Sequence, residues 1–120
     1  MIPQAPDCTV FVDAEISDGD LRGLVAVALA MAPAAVEIDI LRNEDYDVKR
    51  RQHFPDGFIY FRCIMNLYLA GLTEAERIAV VGNLLERLWG AGFAAVAACP
   101  FEDALPERGG YRSQAIPWPD

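Results

Sequence analysis

The chain has 120 residues, with 53% hydrophobic and 23% charged residues, the composition of one folded domain and not of a disordered segment. Its formal net charge of −8 is a poor basis for holding nucleic acid and a good one for meeting a basic partner. No apolar run reaches the roughly 18 residues of a membrane span, and the start, MIPQAPDC, lacks a basic stretch followed by an apolar one, so neither a signal peptide nor a membrane partner is expected and the compartment is taken as cytoplasmic.

Cys8 to Ile16 alternates apolar and polar residues, which predicts a first strand with Phe11, Asp13 and Glu15 on one face and Val10 and Val12 on the other. Ser17 with Asp20 three residues on is a weak capping box. Leu21, Leu24, Val25, Ala28, Leu29 and Ala32 then recur at helical spacing, up to Pro33. Ala35 to Asn43 alternates again and predicts a second strand with Glu37, Asp39 and Leu41 on one face. Glu44 to Gly57 is charged and irregular, a long loop holding the basic cluster Lys49, Arg50 and Arg51.

Phe58 to Leu69 is β-rich and predicts a long third strand, with Ile59, Phe61, Cys63, Met65, Leu67 and Leu69 on one face and Phe58, Tyr60, Arg62, Ile64, Asn66 and Tyr68 on the other. Thr73 and Glu76 form a full capping box, and the helix they open carries a stripe of Ala75, Ile78, Ala79, Gly82, Leu85, Leu88 and Trp89, stopped at Gly90 and Gly92. Phe93 to Cys99 predicts a fourth, covered strand. Residues 101–120 are expected to wrap the surface with little regular structure.

The order strand, helix, strand, strand, helix, strand predicts a single α+β domain over 1–120, core about 8–100, with a ferredoxin-like βαββαβ sandwich. The expected antiparallel sheet has the order 4-1-3-2, with both helices on one face and the other face bare. On that bare face the alternation places Asp13, Glu15, Glu37, Asp39, Tyr60, Arg62, Asn66 and Tyr68, an aromatic and acidic surface around one arginine, the residue types that anchor interfaces. Arg62 is also placed to neutralise Asp13 or Asp39 across strands.

Motifs for chemistry are sparse. His53 is the single histidine, so no His-rich metal site or triad is expected, and the cysteines Cys8, Cys63 and Cys99 lack zinc spacing. In the expected topology Cys8 and Cys99 come near one another, as a reduced pair in the cytoplasm. Glu102, Asp103 and Glu107 form a second acidic group after the fourth strand. No cofactor is indicated.

The third strand, the Thr73-x-x-Glu76 helix, Leu88-Trp89-Gly90-Ala91-Gly92 and the run Ala97 to Pro106 resemble small uncharacterised actinobacterial proteins. Size, acidity and topology are also similar to immunity proteins of bacterial polymorphic toxin systems, which bind a toxin and block its site. That resemblance implies a non-enzymatic inhibitor of a basic partner. The alternatives are a homodimeric module holding a small ligand on the sheet face and a metal-dependent hydrolase. The last rests on Asp13, whose position is similar to that of an aspartate in small CRISPR-associated nucleases of this topology.

Overall fold

A computed structural model describes residues 5–30, 32 and 36–119. The elements run β1 (Cys8–Asp13), α1 (Asp18–Leu29), β2 (Glu37–Arg42), β3 (Cys63–Tyr68), α2 (Glu74–Gly90) and β4 (Ala94–Ala98). The fold is α+β, one open four-stranded antiparallel sheet with two helices. Counted from the β2 edge, the strands lie β2-β3-β1-β4; counted from the β4 edge, the same neighbours read 4-1-3-2. The expected ends at Ala35 and Pro33 lie outside the described residues.

Both helices begin where a side chain can satisfy orphan amides. The Ser17 hydroxyl accepts from the Asp20 N–H at the start of α1. At α2 the box is complete: Glu76 N–H donates to Thr73 Oγ1 (3.1 Å), and Thr73 N–H donates to Glu76 Oε1 (2.9 Å). Beyond α2 the chain turns at Gly92, whose φ of +90° suits a residue without Cβ. Leu21, Val25 and Ala28 of α1 and Val80, Val81, Leu84, Leu85 and Leu88 of α2 pack against Cys8, Val10, Val12, Met65, Leu67, Ala95 and Ala97, forming the main core on one face of the sheet. The α2 stripe holds in part: Gly82, Leu85 and Leu88 are buried and Ile78 and Trp89 pack partly buried against the core, as expected. Ala75 and Ala79 are exposed, while Val80, Val81 and Leu84 are buried, because the larger side chains claim the face that meets the sheet.

The third strand is shorter than expected. Asp56–Tyr60 is a 3-10 helix, and β3 starts only at Cys63. Two devices hold the break. Gly57 lies so close to the loop backbone that a Cβ there would stand 2.5 Å from the Arg50 carbonyl oxygen. Asn43, 4% exposed, donates from Nδ2 to the Ile59 and Phe61 carbonyls (2.9 and 2.8 Å), satisfying two groups that would otherwise seek a ladder. Phe61 consequently leaves the helix side and buries itself on the opposite face.

There it meets the tail. Phe61, Ala94, Val96 and Ile116 form a second apolar cluster, flanked by Phe11, Phe58, Trp89 and Trp118. The Trp118 ring stands edge-on to Phe61 and Phe54, each at 5.1 Å between centroids, and its Nε1 donates to the Gln52 carbonyl (3.2 Å). Residues 101–119 therefore do more than wrap the surface. They include 3-10 turns at Glu102–Ala104 and Pro106–Gly110, bury Phe101, Leu105 and Ile116, and cover the β1–β4 half of the face expected to be bare.

The two sheet edges are treated differently. Along β4, the outward Ala95 carbonyl accepts from Trp89 Nε1 (3.0 Å), and Gly109 and Gly110 lie against the Ala97 and Ala95 carbonyls, the second so closely that a Cβ would stand 2.7 Å away. Along β2, no strand among the described residues pairs with the outer edge. No helix among the described residues is long and apolar enough to cross a membrane.

Candidate functional site

The face opposite the helices is built in rows set by the ladder register. Glu37 faces Tyr68. Asp39 faces Asn66, which faces Thr9. Leu41 faces Ile64, which faces Phe11. Arg62, one step before β3, stands beside Asn43, its carbonyl accepting from the Asn43 N–H at 2.8 Å. Seven of the eight residues expected on this surface belong to these rows or to the end of β1. Tyr60 does not, because it sits in the 3-10 helix before β3.

The structure divides those residues into two groups. The first, at the β1 end, is internally neutralised. Asp13, whose side chain is 7% exposed, accepts from the Arg51 guanidinium and from the Arg62 backbone N–H (3.2 Å). The Arg62 guanidinium reaches Glu15 at 2.5 Å and stands 3.8 Å from Asp13 through Nε. Two acids and two arginines cancel here. The Tyr46 ring lies under Arg62 at 4.6 Å and near Arg51 at 5.9 Å, and Tyr60 lies under Arg50 at 5.4 Å. Arg51, assigned by its sequence neighbours to a solvated basic loop, is thus a structural partner of Asp13. Nearly buried and already paired, Asp13 is not presented to a ligand. Removing one member of such a pair leaves the other charge uncompensated.

The second group, Glu37, Asp39, Asn66 and Tyr68, remains displayed. Thr9 Oγ1 donates to Asn66 Oδ1 (3.0 Å), fixing the amide. Among the described residues, neither Glu37 nor Asp39 is in an ion pair with a lysine or arginine. Partial loss of water, the Asp39 charge, the hydrogen bond to that carboxylate and the Glu37 charge together raise the Tyr68 phenol above its ordinary value, so it stays protonated, and a donor, past the usual tyrosine range. Beside them Leu41 is 50% exposed.

A cleft of about 850 Å³ opens where β1, β2 and β3 end, lined among others by Glu15, Ser17, Arg42, Glu44, Tyr46 and Arg62. It mixes both charge signs and joins the neutralised group, not the displayed one. Among the described residues, no group of three or more His, Cys, Asp or Glu side chains is placed to hold a metal ion. His53 is exposed in the loop. Arg51 and Tyr46 escaped the sequence reading because a period of two describes strands and places nothing in a loop, and Asn43, at the end of the second alternating run, gave no sign that its side chain turns back to the loop. The large apolar residues Ile116 and Trp118 in a proline-rich tail were the available signal that the sheet face was not wholly bare.

No protein-family model, curated protein or solved structure matches the chain.

Proposed function

We propose that the chain is a non-enzymatic acidic binding module on a ferredoxin-like sandwich, and that it takes a basic polypeptide on the uncovered half of the sheet around β2 and β3. The observation that carries this reading is the contrast between the two charged groups. Asp13 and Glu15 are consumed by Arg51 and Arg62, whereas Glu37 and Asp39 face outward from the edge strand with no cationic partner among the described residues. One row beyond Asp39 along the same strands, Leu41 and Ile64 add an apolar strip, with Leu41 half exposed.

The edge adds backbone groups to this surface. Asn43 and Arg62 form a hydrogen-bonded pair, so the amides and carbonyls of Glu37, Asp39 and Leu41 point toward β3. Those of Ile38, Ile40 and Arg42 then point away from the sheet. An extended segment alternating basic and apolar residues fits this arrangement: its backbone extends the ladder, its cations reach Glu37 and Asp39, and its apolar residues lie along Leu41. The net charge of −8 draws such a segment in and repels phosphate backbones. The most concrete form of the proposal is a cytoplasmic immunity or inhibitor protein for a basic toxin, related to the small actinobacterial proteins its second half resembles.

The test is a ¹⁵N-resolved titration with a short alternating Lys-Val peptide at low and high salt. The expected shifts fall on residues 37–42 and on Ile64, Asn66 and Tyr68. Affinity should fall steeply with salt, and about tenfold or more in a Glu37→Lys, Asp39→Lys double variant. Shifts centred on the tail acids Glu102 and Asp103, or a double variant that binds as well as the parent, would overturn the proposal.

The cleft at the strand ends favours one alternative, a small-ligand module in which Arg42, Arg62 and Tyr46 meet the ligand. Peptide-induced shifts confined to Glu15, Glu44 and Tyr46 would select it.

A further inference from the structure

The helix side of the sheet holds a pair of thiols that this binding reading does not use. The register between β1 and β4 runs Val12–Ala95, Val10–Ala97 and Thr9–Ala98. One step further, Cys8 at the start of β1 stands opposite Cys99, the residue that follows β4. Cys8 is 1% exposed within the main core, and Cys99 packs half-buried against the same core, so the two side chains share a face. The two sulfurs lie close enough to hydrogen-bond with each other. None of the three cysteines is in a disulfide.

The backbone between them is of the closely spaced kind. The Ala95 carbonyl points out of the ladder to accept from Trp89, so Val12–Ala95 is a pair without mutual backbone hydrogen bonds. By alternation Val10–Ala97 and Cys8–Cys99 are the same. The Cα atoms of such pairs stand about 4.5 Å apart, which lies within the roughly 4.4–6.8 Å that a disulfide spans. Cys63 is elsewhere. It faces Val12, while Cys8 faces Leu67, which separates the two cysteines by four positions along the ladder, roughly 13 Å.

The two thiols are unequal. The hydrogen bond to Cys99, and then burial, push the Cys8 thiol up. The Cys99 thiol is brought below its ordinary value by that same hydrogen bond and by one from the Phe101 backbone, which outweigh partial burial and the Glu102 charge. A cleft of about 440 Å³ lies alongside, lined by residues that flank both cysteines, Pro6 and Asp7 on one side, Pro100 and Phe101 on the other.

We propose that Cys99 and Cys8 form a modification site for small hydroperoxides, in which Cys99 is the thiol oxidised and Cys8 the thiol that resolves it. The Cys99 thiolate attacks the terminal oxygen of the hydroperoxide. The S–O bond forms, the O–O bond breaks, and the remaining oxygen leaves as the alcohol, or as water from hydrogen peroxide, after taking a proton. Cys99 is then a sulfenic acid. The Cys8 sulfur attacks the Cys99 sulfur, the S–S bond forms, the S–O bond breaks, and the hydroxyl leaves as water with the Cys8 proton. A dithiol reductant reverses the modification by exchange.

The test treats the full chain with equimolar hydrogen peroxide, blocks remaining thiols with iodoacetamide and maps the digest by mass spectrometry. The expected product is an intramolecular Cys8–Cys99 link, lighter by two hydrogens, with Cys63 alkylated and the link removed by dithiothreitol. In Cys8→Ser, dimedone should trap Cys99 as the sulfenic acid. Since Cys8 is buried and its replacement can disturb folding, Cys99→Ser provides the second arm, and should leave Cys8 reduced after peroxide. A link through Cys63, a link between chains, full alkylation of both Cys8 and Cys99 after peroxide, or oxidation of Cys8 in Cys99→Ser would each overturn the proposal.

Discussion

Asn43 shows how much a single buried polar group can decide. Its Nδ2 holds two loop carbonyls, its Oδ1 accepts from the Asp45 N–H at 3.0 Å, and its own N–H continues the ladder to Arg62. Replacing it by alanine strands the buried Phe61 carbonyl and the part-buried Ile59 carbonyl, so Asn43→Ala should lower unfolding stability by roughly 2–4 kcal/mol. Urea denaturation reads this directly, and an unchanged midpoint would show that the loop carbonyls have other partners. In the sequence Asn43 is only the last residue of an alternating run. Nothing in the run says that its side chain turns back to the loop. Asp13 carries the same lesson. Alternation put it on the correct side of the sheet, but its main partner, Arg51, comes from 38 positions away, from a segment with no periodicity to read.

At the level of elements, what could be read was what is encoded locally. The Thr73–Glu76 box opens α2 as the spacing predicts, and Thr73→Ala should cost about 1 kcal/mol by freeing the Glu76 amide. A thermal or urea midpoint unmoved by that change would mean that packing of Leu84, Leu85 and Leu88 alone holds the helix start. The first and second strands fall within the alternating runs, and the fourth within the covered run Phe93 to Cys99, each trimmed at one end or both. The third was overextended because Phe58 to Phe61 has the aromatic and β-branched content of a strand. What stops it, Gly57 against the Arg50 carbonyl and Asn43 against two others, are contacts made across the loop. The α2 stripe is right at Gly82, Leu85 and Leu88 and wrong at Ala75 and Ala79 for a related reason: a helix with Val80, Val81, Leu84 and Leu85 offers more than one apolar face, and only the sheet beneath chooses between them.

For the molecule as a whole, the tail is the element that turns a two-layer sandwich with one bare face into one with half of that face closed. Ile116 and Trp118 complete the cluster around Phe61, Val96 and Phe11. Deleting residues 111–120 should expose this cluster, lower stability by roughly 3 kcal/mol or more, and raise binding of a hydrophobic dye. If dye binding and stability match those of the intact chain, the cluster is held together without the tail. The displayed acids Glu37 and Asp39 lie on the half that the tail leaves open, so the same deletion should leave the peptide-induced shifts at residues 37–42 in place, provided that the truncated chain stays folded.

The unequal edges set a limit on assembly. A sheet with two bare edges can add neighbours without end and grow into a fibre. Here the β4 edge is occupied by Trp89 and the Gly109-Gly110 backbone, leaving β2 as the single open side among the described residues. The molecule therefore has a valence of one for strand pairing. Two copies joined through β2 about a two-fold axis would present only β4 edges to the outside, and the assembly would close at that point. The same geometry makes self-pairing and capture of an extended basic segment mutually exclusive on any one molecule.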